Sequence, residues 1–266
     1  MLKKNQNKFL DNKMYFKKCI NCSVVFVLMA SQSAIANQFS DTFHGQPKLN
    51  LNVYAFAADV DGDIGKGNID YEVDQPFKDT LKELDQSFMA HLELSKGKWG
   101  IYADKQYVKT SQDKLVFNIP LALNTKLDQS SYGVYYQAYV SPEQTKDNYS
   151  KFIVEPTIGM HQTDASATLS VLNNQVKTSA DWDEFFWGAR FKYNFNSPWN
   201  LASELSFGVE NTRSAQAYLG YRIPVFDRNL NIRAGYRYFE QDYKSNDFKW
   251  DIKQHGPVIG INLPIF

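Results

Sequence analysis

The stretch Leu230-Asn231-Ile232-Arg233-Ala234-Gly235-Tyr236-Arg237-Tyr238-Phe239 decides the fold. Leu230, Ile232, Ala234, Tyr236 and Tyr238 alternate with Asn231, Arg233, Gly235, Arg237 and Phe239, and a period of two makes two faces only in an extended strand. One face is apolar and ends in tyrosines, while the other carries two arginines. The interior of a two-sheet sandwich would reject that second face. A barrel with lipid outside and a polar lumen accepts both. After a turn at Lys244-Ser245-Asn246-Asp247, a second segment runs through Phe248, Trp250 and Ile252, then Ile259, Ile261 and Leu263. It reads as the closing strand, with Phe266 as a barrel-assembly signal.

Working outward, the same alternation recurs. Residues 49–59 form a first strand and lead into an acidic, glycine-rich turn over 59–67. Residues 87–96 set Phe88, Ala90, Leu92 and Leu94 outward against Met89, His91 and Glu93, and 99–109 set Trp99, Ile101, Ala103 and Tyr107 against Tyr102, Asp104 and Gln106. Lys105 breaks the outer face of that strand. One long, interrupted strand is expected from 115 to 140. Further strands at 152–161, 185–195, 201–210 and 215–223 place Glu155, Arg190, Lys192, Glu204, Glu210 and Arg222 on the inner side. Phe77, Leu81, Leu84 and Phe88 recur at near-helical spacing, with Asp74 as a cap and Pro76 in the first turn. The spacing predicts a short amphipathic helix near 76–85, at the rim or as a plug.

The fold expected is therefore all-β, a transmembrane antiparallel up-and-down barrel of about ten strands, with eight or twelve as alternatives. Long connections at 60–86 and 162–182 then fall outside the cell, and short turns at 97–98, 196–198 and 224–229 fall inside. Closure is needed because an open sheet edge in hydrocarbon leaves backbone groups unpaired.

The N-terminus carries six lysines before the apolar run Val24-Val25-Phe26-Val27-Leu28-Met29-Ala30 and the small-x-small sequence Ala34-Ile35-Ala36. Residues 1–36 read as a secretory signal peptide, for which Met14 is a plausible alternative start. Residues 37–47 read as a periplasmic segment and 48–266 as the barrel. Removal of the leader leaves 23 of the 29 basic and 28 of the 29 acidic residues, a net charge of about −5 with no basic bias towards nucleic acid. Both cysteines, Cys19 and Cys22, leave with the leader. No apolar run in the remainder is long enough for a transmembrane helix.

Several motifs, taken in order, carry a resemblance. They are Asp59-Val60-Asp61-Gly62-Asp63-Ile64-Gly65, Phe77-Lys78-Asp79-Thr80-Leu81, Gly97-Lys98-Trp99-Gly100-Ile101-Tyr102-Ala103-Asp104, Asp181-Trp182-Asp183, Ala234-Gly235-Tyr236-Arg237-Tyr238 and Gly256-Pro257-Val258-Ile259-Gly260. The chain resembles a family of uncharacterised proteobacterial outer-membrane beta-barrel proteins over nearly all of its length after the leader. The resemblance implies a barrel and a Gram-negative outer-membrane location, and it carries over no activity. One departure stands at the end, where Pro264 and Asn262 occupy the alternate positions that barrel-assembly signals make apolar. A bulge or one-residue slip near Pro264 would restore the register.

Candidate sites follow from the faces. Glu93, Asp104, Glu155, Glu204 and Glu210 with Arg190, Lys192, Arg222, Arg233 and Arg237 form a nearly balanced set, expected to fill the lumen as a salt-bridge network. Asp59, Asp61 and Asp63 resemble the start of a calcium loop, but Ile64 stands where such a loop needs glycine and Asp70 where it needs glutamate. Weak metal binding or divalent bridging to lipopolysaccharide is the most they offer. His161 with Asp164, Asp181 and Asp183 is the one candidate for a rim hydrolase of omptin-like or lipase-like type. Trp99, Trp187, Trp199, Tyr193, Tyr221, Tyr236 and Tyr238 read as interface girdles. The expected role is structural, surface-interacting or limited permeation of small solutes. A rim hydrolase and a transporter of small amphipathic molecules are the alternatives. No cofactor is implied. The expected partners are outer-membrane lipid, lipopolysaccharide and the barrel-assembly machinery, with a monomeric state.

Overall fold

Alternation of side chains becomes a closed wall because the first strand pairs at both of its edges. The computed structural model describes residues 43–266 except 68, 83, 117–118, 173 and 246–247, so the predicted signal peptide and the turn tip at Asn246-Asp247 lie outside the described residues. The elements are β1 (Lys48–Phe56), β2 (Asp59–Lys66), β3 (Ile69–Gln75), α1 (Phe77–Lys82), β4 (Leu84–Lys96), β5 (Trp99–Val116), β6 (Ile119–Tyr136) and β7 (Tyr139–Val140). They continue as β8 (Phe152–Val171), β9 (Asn174–Asn194), β10 (Trp199–Gly208), β11 (Arg213–Val225), β12 (Arg228–Ser245) and β13 (Phe248–Pro264). The wall runs β1-β4-β5-β6-β8-β9-β10-β11-β12-β13 and returns to β1, with Asn50 to Phe56 set against Pro264 to Val258. Every neighbouring pair is antiparallel, which makes a closed ten-stranded antiparallel barrel.

The turns at Gly97-Lys98, 195–198 and 226–227 gather at one end, with Pro47 and Phe266, and this is called the near end. Gly97 takes a φ of 60° there, which a side chain would disfavour. At the far end β5, β6, β8, β9, β12 and β13 continue well past the short β10–β11 hairpin. The hairpin β2–β3 adds to β13 beyond the point where β1 ends.

The middle and near parts of the wall are apolar outside. Leu92, Ile101, Val134, Ile158, Leu205, Leu219, Ile232 and Ile259 all stand on the outer surface, Ile259 at 63 % exposure. Aromatic pairs ring the near end, with Trp99 and Tyr136 centroids 4.8 Å apart and Trp199 and Tyr221 also at 4.8 Å. Such a belt is what bilayer hydrocarbon and headgroups cover. Lys105, the break expected in it, stays on the outer face and forms an ion pair with Asp128 of β6.

In the far third the apolar face changes sides while the register does not. Along β13, Ile259 and Ile261 point out, but Phe248, Trp250 and Ile252 are buried inside. The same switch occurs in β6 from Tyr132 and Val134 to Leu123 and Leu127, in β8 from Ile158 and Met160 to Ala165 and Ala167, and in β9 from Phe185 and Trp187 to Trp182. These inner apolar residues, with Ile64 and Val73 of the added hairpin, pack into one cluster. The far ends of β5-β6-β8-β9 and of β12-β13-β2-β3 thus close on each other as a sandwich. Trp182 lies flat on Tyr243 with centroids 4.3 Å apart and a 4° interplanar angle, bridging β9 to β12 above the short hairpin.

Four expectations are corrected. Residues 59–66 are a strand, because each alternate residue finds a ladder partner on β13. The strand expected over 115–140 is divided, since Leu115 and Val116 end β5 and pair with Pro120 and Ile119 of β6. The helix is six residues long, and Asp59 from β2, not Asp74, accepts the first amide hydrogen bond from Phe77. β13 needs no bulge or slip, since its pairing to β12 and β1 runs unbroken to Asn262 and Pro264 respectively.

Candidate functional site: the lumen

Below the far-end sandwich the interior turns polar in layers. The first is an amide layer, where Gln129 donates to Gln241 at 2.8 Å and Gln241 donates to Thr163 at 3.1 Å. The space between these groups, Gln106, His161, Arg237 and Phe239 is too tight to hold water. Beneath it Ser131 Oγ lies 2.7 Å from His161 Nδ1, and the imidazole stacks on Phe186 at 4.2 Å.

The charged layer is built on two glycines. Gly100 pairs with Tyr135 and Gly133 with Tyr102 across β5 and β6, and each ring occupies the space a side chain at the glycine would fill. A tyrosine laid over a glycine in this way reaches along the wall. Tyr135 donates to Glu93 at 2.9 Å, and Tyr102 meets Thr157 at 3.1 Å. Arg190 sits over both rings, its guanidinium 4.3 Å from the Tyr135 centroid, and pairs with Glu93 and with Glu155 at 3.6 Å. Lys192 reaches the fully buried Glu155 at 3.1 Å. Beside this cluster Asp104 accepts from Tyr54 at 2.9 Å and lies 3.4 Å from His91.

Towards the near end the lumen widens into a cavity of about 610 Å³. Its floor includes His161 and Phe186, and its mouth includes Pro47, Arg228 and Phe266. Asn200 and Asn231 bond each other reciprocally on its wall at 3.2 and 3.1 Å.

Of the ten charges expected inside, the structure places all but Glu210 on the inner face. Glu210 sits exposed in the β10–β11 turn, where its amide donates to the buried Glu184 at 2.7 Å. The network is narrower than expected. Arg190 and Lys192 pair with Glu93 and Glu155, and Glu204 accepts from Gln216 at 3.0 Å. Arg222, Arg233 and Arg237 form no ion pair among the described residues. Sequence reasoning missed Tyr54, Tyr135, Ser131 and Glu184, whose roles depend on partners 26 to 50 residues away.

The outer candidates separate. Asp59, Asp61 and Asp63 project along the outer face of β2. Asp61 lies 3.3 Å from His255, and Asp63 lies 3.1 Å from Lys249. The hydrogen bond to Asp63 raises the Lys249 pKa. A calcium loop bends its carboxylates inward, whereas an extended strand spaces them about 7 Å apart, so the loop reading does not hold. The rim pair is not formed either, since His161 points inward and Asp164, Asp181 and Asp183 stand exposed on the outer face. None of the described residues of α1 lines the cavity.

No family model matches the chain, and no curated protein matches it. Among solved structures it is similar to CdiB from Acinetobacter baumannii at 12 % identity and a TM-score of 0.37, covering 76 % of this chain and 40 % of that one. It is similar to Ail, the attachment invasion locus protein of Yersinia pestis, at 9 % identity and 0.34, covering 83 % and 100 %. The toluene transporter TbuX of Ralstonia pickettii gives 10 % identity and 0.31, covering 88 % and 94 %. These likenesses bear on neither activity nor ligand.

Proposed function

We propose that the protein is an outer-membrane barrel, closed towards the cell surface and open towards the periplasm, with a structural and surface-interaction role and no conducting pore. The observation that carries this reading is the inversion of the wall in its far third, which puts an apolar sandwich across the outer end of the lumen. The outer belt fits lipid, and the short near-end turns at 97–98, 195–198 and 226–227 with long far-end strand extensions fit the usual orientation of exported barrels, against one longer near-end connection over 137–151. A solute crossing the lumen would have to part the amide layer and then the aromatic cluster, and neither leaves a water-filled path. The charged, hydrogen-bonding walls also disfavour an amphipathic cargo.

The test is the conductance of the refolded chain in planar bilayers, with and without deletion of residues 77–82. No steady current in either form is expected. A steady current in the intact chain overturns the closed-barrel reading, and a current only after the deletion returns the helix to the role of plug.

A further inference from the structure

Three lumen arginines stand apart from the acid-base cluster. Arg222 of β11 and Arg233 and Arg237 of β12 all line the cavity. Arg222 donates to Asn194 near the mouth and lies 3.9 Å over the Tyr149 ring. Arg237, near the floor, donates to Tyr54 at 3.3 Å. Arg233 stands between them, opposite Gly220 on one side and Gly260 on the other, so no side chain flanks it in either register. It makes no hydrogen bond to the protein among the described residues, and the Nε atoms of Arg233 and Arg237 are both buried without an acceptor.

A guanidinium drawn out of water costs free energy unless an anion meets it. The carboxylates nearby are already engaged. Glu93 and Glu155 serve Arg190 and Lys192, Asp104 is held by Tyr54 and His91, and Glu204 accepts from Gln216. All three guanidinium groups line the cavity, and a guanidinium is a group that suits carboxylate or phosphate oxygens. A volume of about 610 Å³ is that of a small-molecule site, and Asn52, Asn200, Ser206 and Tyr218 add hydrogen-bonding walls.

We propose that the cavity is a receptor site for a small, hydrophilic organic anion bearing carboxylate or phosphate groups. The anion enters from the periplasmic side and docks on Arg233 between Arg222 and Arg237. The proposal deepens the closed-barrel reading and rests on its orientation, since a lumen closed at the outer end lets the ligand enter and leave by one mouth.

The test follows the arginine Nε–H resonances of the refolded chain in zwitterionic micelles as citrate, and separately inorganic phosphate, is added. Saturable shifts at Arg233 and Arg237 are expected, with Arg213, outside the lumen, unmoved. Affinity should fall as sodium chloride is raised. Arg233→Gln should weaken binding by about tenfold or more, and Arg233→Lys by less, because it keeps the charge and loses the fork. Non-saturating or uniform shifts, or unchanged affinity in a folded Arg233→Gln, overturn the proposal. Should Arg233→Gln fail to refold, the wild-type shifts and Arg233→Lys decide. A parallel arm adds phosphatidylglycerol to the micelles, and shifts that occur only there overturn the soluble ligand in favour of a lipid headgroup. Conductance is read separately. A conducting barrel that binds citrate overturns only the closed-barrel reading, and a closed barrel that binds nothing overturns only this proposal.

Discussion

Replacing Trp182 by alanine tests the far-end seal most directly. Trp182 is 7 % exposed, stacked on Tyr243 and within 6.4 Å of the rings of Phe248 and Trp250. A tryptophan buries roughly 200 Å². At about 25 cal/mol per Å² its burial contributes about 5 kcal/mol, and the aromatic contacts add about 1. Partial collapse of the sandwich and burial already present in the unfolded chain reduce the loss, and buried Trp→Ala changes typically cost about 3–5 kcal/mol. A loss of about 4 kcal/mol corresponds to roughly a thousandfold change in an opening equilibrium. Hydrogen exchange of the barrel in micelles reads that change locally. Amides in the far ends of β8, β9, β12 and β13 should lose protection by about that factor, while those flanked by the outer belt keep theirs. Trp187→Ala, five residues along on the outer face, should leave far-end protection unchanged. If Trp182→Ala leaves exchange untouched, or loosens belt and far end equally, the far third is not a separate apolar core.

A lysine in place of Trp187, 55 % exposed on the belt, should destabilise the barrel by about 2–4 kcal/mol in urea titrations from lipid vesicles. The same replacement at Gln216, which lines the cavity beside Glu204, should cost much less. Arg190→Met leaves Glu93 without its main partner and takes one of two cations from the fully buried Glu155, and a loss of about 3–5 kcal/mol is expected in the same assay. At the near end, the hydrogen bond from Lys151 to Glu143 at 2.7 Å holds the Glu143 carboxyl below the usual carboxylate range. A depressed folded pKa means the contact stabilises above the unfolded pKa and is lost as pH falls through the folded one. An NMR titration should find Glu143 low in the native chain and restored to the ordinary range in Lys151→Met.

The belt was legible in the sequence because lipid imposes one rule on every strand. Phe185, Trp187, Leu205, Leu219 and Ile232 each face out as the alternation predicts, and even Lys105 keeps its phase by pairing with Asp128. The far third was legible too, but only as a change of parity. Phe248, Trp250 and Ile252 are even-numbered and Ile259 and Ile261 odd-numbered, which in one continuous strand means that the apolar side has exchanged faces. Reading from sequence ran the two sets together in one strand without marking the exchange, and the slip expected near Pro264 answered another departure, that of Asn262 and Pro264 from the apolar positions counted back from Phe266. The lumen was the least legible part. Alternation tells which residues point inward and says nothing of which meet, and Glu93 finds Arg190 97 residues away through closure of the ring.

That same change of parity bears on what the lumen does. A pore needs its polar inner face to continue along the whole axis, whichever residues supply it. Here the inner face is mainly polar from the mouth to Gln129 and Gln241, with Phe56, Met89, Phe186, Phe239 and Val258 set among the polar groups, and from there outward the strands give it to Leu123, Leu127, Trp182 and Trp250. Sliding β6 or β8 outward by two residues would bring one further polar side chain, Gln129 or Thr163, to the edge of that zone and leave the rest of the cluster in place. A shift by one would turn the belt residues inward as well. Opening would therefore require the two far sheets to part at Trp182 and Tyr243, the edge where β10 and β11 stop short. The arginines lie on the other side of the amide layer, and their chemistry is accessible only from the mouth that Arg228 and Phe266 frame.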